Sequence, residues 1–330
     1  MITLKLSVRA RELHMESLVL DAHVDTLIAL VYGRRSLGER SEEGHVDLPR
    51  LREGGVNVQF FAHYIEPQFK PDRALLRFMQ MADTFFREVE ANSDLAEVAF
   101  SAGDIHRITS AGRIACVLTI EGGEVLQGDL GVLRVLHRLG LRALGMVWNQ
   151  RNFLADGVGE ARTGGGLTNL GVEAVREMDR LGIVIDVSHL SDPGFWDVVE
   201  YAEGPFIASH SNARAVCPHP RNLTDEQIKA LAAKGGVMGM NFAPDFVHPE
   251  EATLEGVLDH VDHIAGLVGI GHIGLGSDFD GIGSTPRGLE DVTRLPQLTQ
   301  GLMDRGYSDE QIRAILGGNF LRVLERVWGD

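Results

Sequence analysis

Cysteine is scarce, with only Cys116 and Cys217 in a chain of 330 residues. Two thiols cannot build a disulfide framework, and their scarcity suits a reducing compartment. Positive charge is also short: 31 Lys and Arg stand against 47 Asp and Glu, a formal net charge of -16. No basic stripe interrupts that balance, which argues against a nucleic-acid partner. The acidity reads mainly as solubilising surface charge, with a smaller part left for carboxylates that a metal neutralises. Long apolar runs are missing too, and nothing approaches the ~20 uncharged apolar residues that span a bilayer. The first twenty residues lack the apolar h-region and small-residue cleavage site of a signal peptide. Nor is there a Pro/Ser-rich linker, a low-complexity tract or a short internal repeat. These absences predict a cytoplasmic protein with no membrane partner, built as one domain over 1–330.

What is present is ordinary for a globular chain, 44% hydrophobic and 24% charged residues, in an order that carries information. Short apolar runs at 18–25, 56–65, 114–121, 143–149, 183–189, 206–211, 236–242 and 273–278 read as strands. Most are nearly continuous, as parallel strands covered on both faces should be. Helical patterns fall between them, among them 72–90, 167–181, 224–234 and 253–267, and the chain finishes with a helical pattern at 308–327. Thr224 and Gln227 form a capping box, and Gly235-Gly236 ends that helix. Eight strands alternating with helices predict an α/β fold, a (β/α)8 TIM barrel, with a doubly wound open sheet as the runner-up.

The polar residues are more specific. Several apolar runs end in side chains that can bind metal: His23 and Asp25 after the first, Glu121 after the third, His189 after the fifth, His210 after the sixth. Asp278 follows the eighth. A barrel brings all these strand ends to one face, where barrel enzymes keep their active sites. His23 and Asp25 alone are a weak signal, since a half-buried histidine beside a turn-forming Asp is common. Glu121 alone can cap a helix, and a lone Ser-His step is usually a hydrogen-bonded core histidine. Together, three imidazoles and two carboxylates form a nitrogen/oxygen set suited to Zn²⁺, with Mn²⁺ or Co²⁺ as alternatives. Glu121, with two oxygens, can bridge two ions, His23 and Asp25 completing one and His189 and His210 the other. Asp186, three residues before His189, can orient a ligand from behind or simply cap the strand.

At this point the motifs resemble the membrane dipeptidase (renal dipeptidase) family of zinc peptidases. DAHVDTL, GGVNVQF, IEGGEVL, IDVSHLSD, SHSNARAVCPHPRNLTDEQI and HIGLGSDFDGI occur in the family's order, over nearly the whole chain. The resemblance implies a metallo-dependent hydrolase barrel with two zinc ions, His23 and Asp25 on one, His189 and His210 on the other, and Glu121 as the bridge. It also implies that Arg221 holds substrate and Asp278 moves protons. The implied substrate is a small dipeptide, including one with a C-terminal D-residue, and a homodimer fits the family's habit. One departure stands out: Trp148 replaces the family's substrate-contacting histidine. An indole supplies an N–H and a large apolar face, not an imidazole, so Trp148 is either a substrate contact or a packing residue. Asn149, Arg151 or Asn152 can take over the lost polar contact. The alternatives are hydrolysis of another amide or a lactone on the same metal pair, and a catalytically silent binding barrel.

Overall fold

The computed structural model of the chain describes residues 6–329. Nine strands form its sheet: β1 Leu20–Val24, β2 Val58–Tyr64, β3 Ala96–Val98, β4 Ile114–Glu121, β5 Ala143–Gly145, β6 Val184–Asp186, β7 Ile207–Ala208, β8 Val237–Met240 and β9 Ile273–Leu275. Neighbours run parallel in the order β2-β1-β9-β8-β7-β6-β5-β4, and β2 pairs with β4 to close a ring of eight. The open-sheet alternative is thereby excluded. The ninth strand, β3, pairs with the first three residues of β4 outside the ring. At three residues, β3 is too short for any apolar alternation to announce it.

Alternation along β4 sorts its side chains. Ala115 and Val117 join the small cluster inside the barrel, whereas Cys116, Leu118 and Ile120 join the layer packed under the helices. A period of two then puts Glu121 on the inward face at the strand's end. Tyr64 follows Val58 and Phe60 inward by the same count. The pairing of β1 with β2 slips by one residue between Asp21 and Val24. Such a bulge re-aims the side chains around it, here His23.

Most of the ladders stop short of the predicted spans. β6 ends at Asp186 rather than 189, β7 at Ala208 rather than 211, and β9 at Leu275 rather than 278. At these exits side chains compete for the backbone: Asp186 accepts from Ser188 N and Ser209 N, and Asp21 from Ser277 N. The polar tails therefore lie in turns at the barrel mouth. At the opposite end, Phe320, Val323 and Leu324 of the last helix plug the barrel interior. That closing segment is not one helix: Asp309–Arg313 passes through a π-helical turn at Ala314–Gly318 into Asn319–Trp328. The capping box of Thr224 and Gln227 is formed, and Gly235 takes φ 80° behind the helix it ends. No helix among the described residues is long and apolar enough to cross a membrane.

Candidate metal centre

The structure brings His23, Asp25, Glu121, His189, His210 and Asp278 together at the mouth, all of them buried or nearly so. Each arrives by a different local route. Glu121 is the last residue of β4; Asp25 leaves β1 as the residue before the helix Thr26–Val31. His189 and Asp278 sit just past β6 and β9 with φ of 71° and 61°. That left-handed region is uncommon for residues with a side chain, and turns them sharply out of the strand direction.

Glu121 lies at the centre. Its Oε2 is 3.5 Å from His23 Nε2, which is 3.3 Å from Asp25 Oδ2. Its Oε1 is 2.8 Å from His189 Nε2 and 3.8 Å from His210 Nε2. The two oxygens of one carboxylate thus face two different pairs of donors. Potential ligand atoms of His23, Glu121 and His210 all lie within 4.8 Å of one another, as do those of His23, Asp25 and Asp278.

The unmet valences fit cations. His23 Nε2 and Asp25 Oδ1 are buried without a hydrogen-bond partner, which is costly unless something else satisfies them. His189 Nε2 and His210 Nε2 stand 2.9 Å apart. The opposite nitrogens are occupied, His189 Nδ1 by Asn149 Oδ1 at 2.8 Å and His210 Nδ1 by Ser209 Oγ at 2.7 Å. If both Nδ1 atoms donate, two lone pairs face each other, an arrangement a shared cation environment relieves. Burial, together with the charge on Arg221, pushes His189 down to about 3. Burial also opposes the charge on His23 and Glu121, yet each holds its charge: Asp25 and Glu121 raise His23 well above its usual value, and His23 and His189 hold Glu121 well below. Burial and the charge of Glu121 push Asp25 up to about 7. The cluster is crowded with acids that want a positive partner.

The other predicted residues surround this centre. Asp278 Oδ2 accepts from Asn241 Nδ2 at 2.9 Å, and burial, with Glu121 nearby, lifts its carboxyl above the ordinary range. Arg221 is buried; its Nη1 and Nη2 donate to Ser211 Oγ and His210 O, and Nε has no partner. Burial lowers its pKa to about 10, against the charges of Asp278, Glu121 and Asp186, which act to raise it. A cavity of about 290 Å³ opens over the centre, lined by Asp25, Tyr64, Glu121, Trp148, Asn149, His189, Phe246 and Asp278 among others. Trp148 packs edge-on to Tyr64 with ring centres 5.2 Å apart, and Lys70 Nζ lies 5.3 Å above its indole. Trp148 is thus both a wall of the cavity and a packed residue. Asn149 lines the cavity while its side chain holds His189. Arg151 and Asn152 are otherwise engaged, with Asp156 and with Glu124 and Met146 O. Tyr64, Asn241 and Phe246 were not read from the sequence. Only Asn241 left a trace there, as a polar residue breaking an apolar run.

The chain matches known proteins over most of its length. Residues 7–328 match the model of the membrane dipeptidase family, peptidase family M19. The dipeptidase tcpJ of Claviceps purpurea is 38% identical over 295 residues, covering 86% of this chain and 69% of that one. The dipeptidase aclJ of Aspergillus oryzae is 37% identical over 293 residues, covering 85% and 69%. Among solved structures, a metallopeptidase from Rhodobacter sphaeroides liganded with a phosphinate mimic of the dipeptide L-Ala-D-Ala superposes with a TM-score of 0.90. It is 34% identical, and the match covers 95% of this chain and 100% of that one.

Proposed function

Because the chain belongs to the membrane dipeptidase family of metallopeptidases, we propose that it hydrolyses dipeptides with two zinc ions held by His23, Asp25, Glu121, His189 and His210. Membership makes it a metal-dependent dipeptidase; the proposal concerns the metal pair and the work of each residue. One observation carries it: the carboxylate of Glu121 offers one oxygen to His23 and the other to His189 and His210. Three imidazole nitrogens and carboxylate oxygens are a donor set that suits zinc. When bound, the ions would supply Lewis acidity, which lowers the pKa of a water toward about 7.

The chain's own residues supply the rest. Asp278, aimed by its left-handed backbone and held by Asn241, takes the proton of the attacking water and passes it to the leaving amine. Arg221, a buried cation with an unpartnered Nε and no carboxylate bonded to it, pairs with the C-terminal carboxylate of the substrate. A charge fixed at that end favours short peptides. Trp148 and Asn149 form the wall across the cavity, Trp148 offering its indole N–H and apolar face to the substrate. Acceptance of a C-terminal D-residue is supported by the L-Ala-D-Ala mimic bound to the Rhodobacter sphaeroides relative.

The test combines metal analysis with turnover of L-Ala-L-Ala and L-Ala-D-Ala. Two zinc ions per chain are expected, with activity lost on chelation and restored by zinc. Undiminished turnover after exhaustive chelation, or a stoichiometry of one, would overturn the two-ion reading. Failure to cleave L-Ala-D-Ala would overturn the stereochemical part alone.

A further inference from the structure

Behind the centre, one carboxylate ties two strand exits together. Asp186 ends β6, and its Oδ1 accepts from the backbone N–H groups of Ser188 and Ser209, both at 2.9 Å. Its Oδ2 accepts from the hydroxyl of Ser209. That hydroxyl has a single proton, and the carboxylate, which can only accept, takes it. Ser209 Oγ is also 2.7 Å from His210 Nδ1. With its proton committed, the hydroxyl can only accept there, so Nδ1 carries the proton of the imidazole. His210 Nε2 is then the lone pair, and it faces Glu121 Oε1 and His189 Nε2. All three residues are buried, so water does not compete for these bonds.

The same tie recurs where it cannot do this. Asp21 Oδ1 accepts from Ser277 N at 2.8 Å and Oδ2 from Ser277 Oγ at 2.6 Å, joining β1 to the exit of β9. Ser277 precedes Asp278 as Ser209 precedes His210, yet no imidazole nitrogen bonds to the Ser277 hydroxyl. A tie between strands therefore does not need a histidine. The contact of Ser209 with Nδ1 is an addition to it.

We propose that Asp186 and Ser209 are positioning residues for the half of the centre formed by His189 and His210. They hold His210 in the tautomer whose Nε2 can bind metal, and relay the negative charge of Asp186 to make that nitrogen a better donor. The inference rests on the two-ion reading. Its consequence is asymmetric: losing the relay weakens one ion and spares the other.

Zinc binding to the whole protein, measured by competition with a chelator, resolves the two equilibria, and His189→Ala identifies which step belongs to the relayed half. Asp186→Asn and Ser209→Ala are each expected to weaken that step about 10- to 100-fold and to leave the other within about threefold. Asp21→Asn, which cuts a strand tie without touching His210, should not weaken the same step. In both relay variants the low-field proton resonance of His210 Nδ1 should also vanish or move. If wild-type protein takes up a single ion, the two-ion reading fails and this inference with it. If it takes up two, and the relay variants leave both steps unchanged or weaken them equally as a general loosening would, the relay alone is wrong. Should Asp186→Asn not fold, Ser209→Ala decides the matter.

Discussion

Asp278, His189 and Asp280 all hold positive φ, 61°, 71° and 66°. Three residues with side chains in that region, all at one barrel mouth, indicate backbone held by its surroundings. For Asp278 the consequence is a carboxyl turned from its strand into the cavity and fixed by Asn241. Replacing it by Asn keeps shape and removes the titrating oxygen. Asp278→Asn is expected to retain the metal of the wild type while kcat falls about 10²- to 10⁴-fold, the usual worth of a positioned proton carrier. A variant with wild-type kcat would remove Asp278 from the proton path. The contrast in legibility at this scale is physical. His23, Glu121, His189 and His210 could be found in the sequence because parallel strands converge at one end, so a polar residue closing an apolar run has a known destination. Asn149 and Ser209 could not be assigned their partners. Asn149 meets His189 from 40 positions away, and the hydroxyl of Ser209 matters only because Asp186, 23 positions earlier, takes its proton. Such pairings depend on which strand exits are neighbours, and no local pattern encodes that.

At the scale of elements, the alternation of strands and helices was readable because each buried parallel strand must be almost wholly apolar. The ring of eight strands matches that alternation. What sequence could not mark is where a strand stops, since apolarity continues past its last residue at Val187 and at Met146 and Val147. Nor could the helical pattern at 308–327 reveal its internal break. The cause lies in packing: a Cβ on Gly317 would overlap the carbonyl oxygen of Leu18 and approach Leu20 N at 3.0 Å. The backbone of the π-helical turn can approach the start of β1 this closely only at a glycine. Gly317→Ala must push that turn off the barrel's end, and with it the plug of Phe320, Val323 and Leu324. A loss of about 1–3 kcal/mol is expected, the usual cost of forcing extra volume into packed structure, read from denaturant unfolding. Unchanged stability would mean that the turn and the strand are not locked together.

Across the whole molecule, three histidines outside the metal centre contribute to how the fold responds to acid. His14, in the helix Val8–Glu16, bonds Thr299 Oγ1 at 2.8 Å and Gly54 O at 2.7 Å. His63, on the outer face of β2, bonds Thr119 O through Nδ1 at 2.9 Å, while Nε2 has no partner and the rings of Phe78 and Phe85 pack around it. His260 accepts from Ala213 N at Nδ1 and donates from Nε2 to Val247 O. That pair of roles requires a neutral ring. Burial pushes each of the three down to about 4 from 6.5. Between those values the unfolded chain binds protons that the folded chain refuses, so stability rises with pH across the window and is lost as pH falls through it. Each full shift is worth up to roughly 3 kcal/mol, at about 1.4 kcal/mol per tenfold change in proton affinity. Asp21 and Asp25, held above the ordinary carboxyl range by burial, Asp25 up to about 7, work in the opposite sense from the unfolded value near 3.8 up to their folded values. With total stabilities of about 5–15 kcal/mol usual for a domain, three such histidines are a large share of the response to acid and are expected to outweigh the two carboxyls. The urea midpoint should therefore fall steeply from pH 6.5 to 4.5. His260→Gln, whatever its cost at neutral pH, should make that fall shallower, because one of the three groups no longer titrates. A midpoint that does not change over this interval, or a slope the substitution leaves untouched, would show that these imidazoles accept protons without leaving their places.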